Sequence, residues 1–163
     1  MIRYIFTLLL LFTTLSSVSA SALPFAETSA IERKVSFDAP YIGAMDVTMG
    51  KGKTFAGRKA TYILRDGVLL CDFPKVGKMP GKILIELPVE VAEDGRITAQ
   101  PGAIAGAMKL PLGIKVKLKL ISLDQARIVG RQLSFVLQVY GQFMGASFPT
   151  TVSFSGRASA PVK

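Results

Sequence analysis

The residues of this chain best placed to do chemistry are lysines. Lys115, Lys117 and Lys119 alternate with Ile114, Val116, Leu118 and Leu120 in the stretch "GIKVKLKLIS". On an extended strand, alternate side chains stand roughly 6 to 7 Å apart on one face. Three like charges at that spacing are tolerable only in water, where they attract anions. As the wet side of a strand, such a row would also discourage pairing at an open sheet edge. A second basic group, Lys51, Lys53, Arg58 and Lys59, falls in the Gly-rich stretch "GKGKTFAGRK". It lacks the G-x-x-x-x-G-K-[ST] spacing of a phosphate-cradling loop. It reads as a hairpin loop, which at a barrel rim would form a basic mouth. Both groups suit anionic glycan or lipid headgroups. Nucleic acid is not an expected partner, because no aromatic residues interleave with the lysines.

Acid–base and nucleophilic chemistry find little support. Glu86 and Glu90 share a strand face, but their Cα atoms would lie about 13 Å apart, too far for a glycosidase carboxylate pair. Asp46 and Asp72 stand alone, and Glu93-Asp94 reads as a turn without the ligand density of a calcium loop. The chain has no histidine, which excludes Ser-His and Cys-His catalysis and histidine metal sites within it. Cys71 is the single cysteine, so no intramolecular disulfide can form. In "VLLCDF" it reads as a small buried hydrophobe. No catalytic residue, metal or cofactor is expected, and the chain reads as non-enzymatic. A different kind of candidate is the set Met45, Met49, Tyr62, Phe135, Leu137 and Tyr140. These could line an apolar cavity, since methionine adapts to irregular ligands, or they could be plain core.

The elements that must position these side chains are strands. Short apolar runs are broken by Gly, Pro and Asp from Lys34 onward, an all-β pattern. Tyr41, Gly43, Met45, Val47 and Met49 share one face. Asp66-Gly67 and Asp94-Gly95 are hairpin signals. Ile83, Ile85, Leu87, Val89 and Val91 recur at period two, with Lys82, Glu86 and Glu90 opposite. "PGAIAGAMKLP" reads as a loop or short irregular segment. Leu133, Phe135, Leu137 and Val139 form another apolar face, opposed by Gln132, Ser134 and Gln138, and Val152 aligns with Phe154 in a last strand. About eight strands result, with no helical period of comparable length. Eight sequential antiparallel strands, each with one apolar face, favour an up-and-down barrel just wide enough to fill with side chains or hold one small ligand.

The N-terminus has the layout of a secretory signal over residues 1–22. Arg3 is followed by the apolar run "IFTLLLLF" and by small residues ending in an A-x-A site at Ala20–Ala22. Residues 23–33 read as a flexible arm and 34–163 as the barrel domain. Beyond the signal no stretch is apolar and long enough to span a bilayer. Export to the periplasm or outer-membrane surface of a Gram-negative bacterium is the expected location. The chain carries a formal charge of +9, and half its residues are hydrophobic. It is therefore basic and well able to bury a core.

"YIGAMDVTM", "DGVLLCDFPKVGKMPGKILIELPVEVAEDGRI", "LPLGIKVKLKL", "GRQLSFVLQV" and "TTVSFSGR" together resemble the calycin-like β-barrel proteins secreted by Bacteroides-type bacteria. The most specific part is the D-G-x-x-L-x-x-F turn and strand with the G-K-I-L-I strand after it. The resemblance spans Asp38 to Arg157. It implies a lipocalin-like eight-stranded barrel in the cell envelope and carries no catalytic residues. Two functional expectations follow. One is an interior site for a small hydrophobic or amphipathic, lipid-like ligand. The other is a filled barrel acting as an envelope structural or interaction module, whose basic face meets anionic glycan or lipid headgroups.

Overall fold

A computed structural model describes residues 36–50, 52–73, 76 and 81–159. The expected signal segment and N-terminal arm lie outside the described residues, as does Lys51. Eight antiparallel strands close into a barrel: β1 (Ala39–Met49), β2 (Lys53–Arg65), β3 (Val68–Phe73), β4 (Lys82–Pro88), β7 (Ile104–Lys109), β8 (Lys115–Val129), β9 (Gln132–Phe143) and β10 (Ala146–Ala158). Each pairs with its neighbours in chain order, and β1 closes the wall against β10. Between β4 and β7 a two-stranded ribbon, β5 (Glu90–Val91) and β6 (Ile97–Thr98), stands apart from the wall.

The period-two pattern makes this architecture. Tyr41, Met45 and Val47 on β1 point into the barrel and are buried, as are Ile83, Ile85 and Leu87 on β4 and Leu133, Phe135, Leu137 and Val139 on β9. The outward positions between them are mostly charged or polar, among them Asp46, Lys82, Glu86, Gln132 and Gln138, with Ile42, Leu84 and Val136 interspersed. Apolar inside and polar outside is the reverse of a barrel that spans a membrane. No helix among the described residues is long and apolar enough to cross one. Closure needs small residues where the wall bends. Gly43 and Gly156 face each other across β1 and β10, and a Cβ on Gly43 would lie 2.1 Å from the Ser155 carbonyl oxygen.

Three expectations are corrected. "PGAIAGAMKLP" contains a full wall strand, β7, which alanine and glycine hide by flattening the apolar alternation. Small residues are required there, because a Cβ at Gly106 would meet the Leu84 carbonyl oxygen at 2.0 Å. "GKGKTFAG" is not a loop throughout, since β2 already begins at Lys53. Gly57 sits at a bulge with φ +65°, and its N–H donates to Asp46 Oδ1 at 2.7 Å, which gives that carboxylate a structural task. The apolar run of β4 stops at Pro88 instead of continuing to Val91, and the chain turns off into the ribbon.

The antiparallel order sorts the connections onto two ends. One end, the lysine end, carries the β1–β2, β3–β4, β7–β8 and β9–β10 connections. The ribbon end carries the β2–β3 and β8–β9 turns, β5–β6, the start of β1 and the end of β10.

Candidate functional site

The basic face assembles from strands that are distant in sequence. On β8, Lys115, Lys117 and Lys119 are exposed and face outward, while Val116, Leu118 and Leu120 are buried. Ile114 departs from the expected apolar face: it precedes the strand and is 42% exposed. Register places Lys115 opposite Lys109 on β7, and Lys109 opposite Lys82 on β4. Three lysines thus lie side by side across three strands at the lysine end, and the β8 row runs away from Lys115 at right angles to them. Ala107 sits between Lys117 and Leu84, so no large side chain divides the patch. The nearest carboxylate on the β3 side is Asp72, opposite Leu84. The only ion pair among the described residues joins Arg96 to Asp94 at 3.3 Å, at the ribbon end.

Like charges directly opposite one another destabilise a sheet. Guarding an open edge does not explain them well, because the barrel is closed, with β8 paired to β7 from Lys115 and to β9 from Leu118. Lys53 and Lys59 are exposed on β2, and Arg58 is exposed at its bulge. These residues belong to the opposite wall of the barrel, and the structure does not join them to the β8 row.

The interior candidates divide. Met45, Tyr62, Phe135 and Leu137 meet in the barrel, at most 2% exposed. Met49 is half-buried against the same core. Tyr140 is half-buried on the opposite, outward face of β9, between Lys119 on β8 and Pro149 on β10. Phe154 completes the interior group. Its ring centroid lies 4.6 Å from that of Tyr62 and 5.4 Å from that of Phe135, and the Tyr62 and Phe135 rings meet edge-on at 4.9 Å. The period-two alignment of Phe154 with Val152 already pointed it to the apolar face. Tyr62 and Leu137 have no surface that a water-sized sphere can reach, so no void of that size borders them.

Tyr62 Oη is buried without a hydrogen-bond partner. Burial, with a smaller contribution from the neighbouring Cys71, raises its pKa well above 10.0. Burial likewise pushes the Cys71 thiol up to about 12. A thiol is a weak donor and acceptor, and Cys71 perturbs the phenol without satisfying it. Such a cysteine is protonated and inert, as the strand context suggested.

Surface clefts lie elsewhere. One of about 500 Å³ is bounded by Pro88, Val89, Thr98 and Ala103. Another, of about 630 Å³, is bounded by Arg96, Leu123, Asp124 and Arg127. Both border the ribbon, and neither touches the interior group or the β8 lysines. No family model, curated protein or solved structure matches the chain, so the calycin-like resemblance rests on its motifs alone.

The sequence pattern missed two residues. Leu112, in the β7–β8 connection, is 98% exposed, and Met144, in the β9–β10 turn, is 88% exposed. Each has a positive φ, +65° and +49°, and each precedes a glycine that also has one. An apolar residue where turn chemistry favours Asn or Asp before Gly is the signal that would have found them.

Proposed function

We propose that this chain is a secreted, non-enzymatic barrel that acts as an interaction module of the cell envelope, holding anionic groups on the face built from β4, β7 and β8. The observation that carries this reading is the contiguous set Lys82, Lys109, Lys115, Lys117 and Lys119, spread over three strands without an ion-pairing carboxylate among the described residues. Charge of one sign, fixed on a rigid wall, attracts polyanions and anionic headgroups and loses its grip as salt rises. The closely packed rings of Tyr62, Phe135 and Phe154 favour this reading over an interior ligand, which would have to displace them.

Binding to dextran sulfate, an anionic polymer, tests the reading. Retention at low salt and release at high salt are expected, and indifference to salt would sink it. Native mass spectrometry of the exported chain tests the interior reading on the same sample. A bare mass, unchanged after exposure to envelope lipid extract, is expected. A reproducible adduct lost on organic extraction would restore the carrier reading.

A further inference from the structure

Leu112 and Met144 are the most exposed large hydrophobic residues described, and they share one end of the barrel. Their connections are adjacent along the wall, because β7, β8, β9 and β10 are consecutive neighbours. Both residues occupy the left-handed region, which disfavours side chains other than Gly, Asn and Asp. Each therefore combines unfavourable backbone geometry with unfavourable exposure, and neither buries anything in return. An exposed apolar residue held in a strained turn is an observation from which function can be inferred.

Their surroundings specify the partner. Lys109 and Lys115 close the β7–β8 connection beneath Leu112, and the Leu110 N–H donates to the Ile114 carbonyl to hold it shut at 2.8 Å. Lys82 stands beside Lys109, and Lys117 follows Lys115 on the same face. Ile114, 42% exposed, widens the apolar tip. Leu112 stands over these ammonium groups, and Met144 adds a second apolar point on the neighbouring, lysine-free β9–β10 turn. Apolar tips beside clustered ammonium groups match the two layers of one surface, acyl chains beneath anionic headgroups.

We propose that the lysine end docks onto a phospholipid bilayer bearing anionic headgroups, with Leu112 and Met144 entering the acyl boundary while Lys82, Lys109, Lys115 and Lys117 hold the phosphates. This rests on the basic-face reading above and names its partner. The barrel axis stands upright on the membrane, and the ribbon end, with both ends of the barrel chain, points away.

The chain contains no tryptophan, so one introduced indole reports its own surroundings. Leu112→Trp, Met144→Trp and, at the ribbon end, the 64% exposed Val129→Trp are each mixed with phosphatidylcholine vesicles with and without phosphatidylglycerol. The first two indoles are expected to shift to the blue and to be quenched by brominated acyl chains, only when phosphatidylglycerol is present. The Val129→Trp indole should stay in water. Leu112→Ser combined with Met144→Ser should weaken vesicle binding about a hundredfold and leave dextran sulfate binding unchanged. Water-like emission from Leu112→Trp on vesicle-bound protein would overturn the insertion. Dextran sulfate binding without vesicle binding would overturn the bilayer partner and spare the basic-face reading. Failure to bind either at low salt would remove both.

Discussion

The two ends of the barrel solve the same backbone problem with different residues. At the ribbon end β2 turns into β3 through Asp66-Gly67, with φ values of +49° and +72°. At the lysine end β9 turns into β10 through Met144-Gly145, at +49° and +77°. Geometry alone therefore does not ask for methionine, since the far turn uses the ordinary residue for a two-residue hairpin. The charges differ in the same sense. Around the ribbon end Asp38, Asp66, Glu90, Glu93 and Asp94 intermingle with Arg65, Arg96, Arg131 and Arg157, and the one described ion pair is found there. At the lysine end Lys53, Lys82, Lys109 and Lys115 mark the strand ends. One end mixes charges of both signs. The other keeps uncompensated charge and exposed apolar tips, features that a fold selected for stability alone would lose.

Charge reversal should separate the two ends by the largest margin. Lys115→Glu, Lys117→Glu and Lys119→Glu together are expected to weaken binding to anionic vesicles more than a hundredfold, since each lysine near such a surface contributes about 1 kcal/mol and each reversal adds repulsion. The same change at the ribbon end, Arg65→Glu, Arg127→Glu and Arg157→Glu, alters net charge equally and should cost less than about tenfold, through long-range field alone. Equal losses, measured by vesicle sedimentation, would mean that net charge and not the face determines binding.

The interior common to both ends sets the pH range of such experiments. The Cys71 thiol is held at about 12 when folded, against an ordinary 9.0, and Tyr62 is shifted upward from 10.0 in the same way. Both groups are neutral while protonated, so the unfolded chain releases its protons first as pH rises. Between pH 9 and about 12 the folded state binds more protons than the unfolded one. Stability is therefore flat below pH 9 with respect to this pair and falls above it, at up to about 1.4 kcal/mol per pH unit for each titrating group. Urea melts at pH 8 and pH 10 check this, and Cys71→Ala should reduce the difference. A loss of binding above pH 9 would then report a loosened barrel, common to both ends.

Sequence patterning carried the wall but not the site. The inward faces of β1, β4, β9 and β10 were legible because their apolar residues recur at period two. β7 was not, because Ala105, Gly106 and Ala107 give no contrast between faces. The row on β8 was visible within one strand. Its continuation through Lys109 and Lys82 was not, because β4 and β7 are separated in sequence by the ribbon and only their pairing in the folded wall brings Lys82 beside Lys109. Tyr140 and Phe135 illustrate the same limit at smaller scale: both are aromatic on one strand, and an odd spacing of five puts them on opposite faces.

Exchanging the turn residues sharpens the contrast at an intermediate scale. Met144→Asn relieves a side chain poorly suited to its φ and should raise stability by about 1 kcal/mol. It should also lower vesicle binding. Asp66→Met should lower stability by a similar amount and leave binding untouched. Opposite signs in urea melts, with a binding loss only at position 144, would show stability traded for contact at one end alone. Matching signs would mean the two turns differ in some way other than the residue they carry.

The smallest expected effect concerns the space between the ends. Tyr62→Phe removes a buried hydroxyl that has no partner and keeps the ring against Phe135 and Phe154. An unsatisfied buried hydroxyl is destabilising, so the variant should gain about 1 kcal/mol. Vesicle binding should not change, because the lysine end acts from outside the wall. If the variant instead loses stability when isolated from envelope extract, but gains it when refolded from purified chain, the hydroxyl has a partner in the cell. The interior would then be a second site, and the barrel would hold a ligand between its two ends.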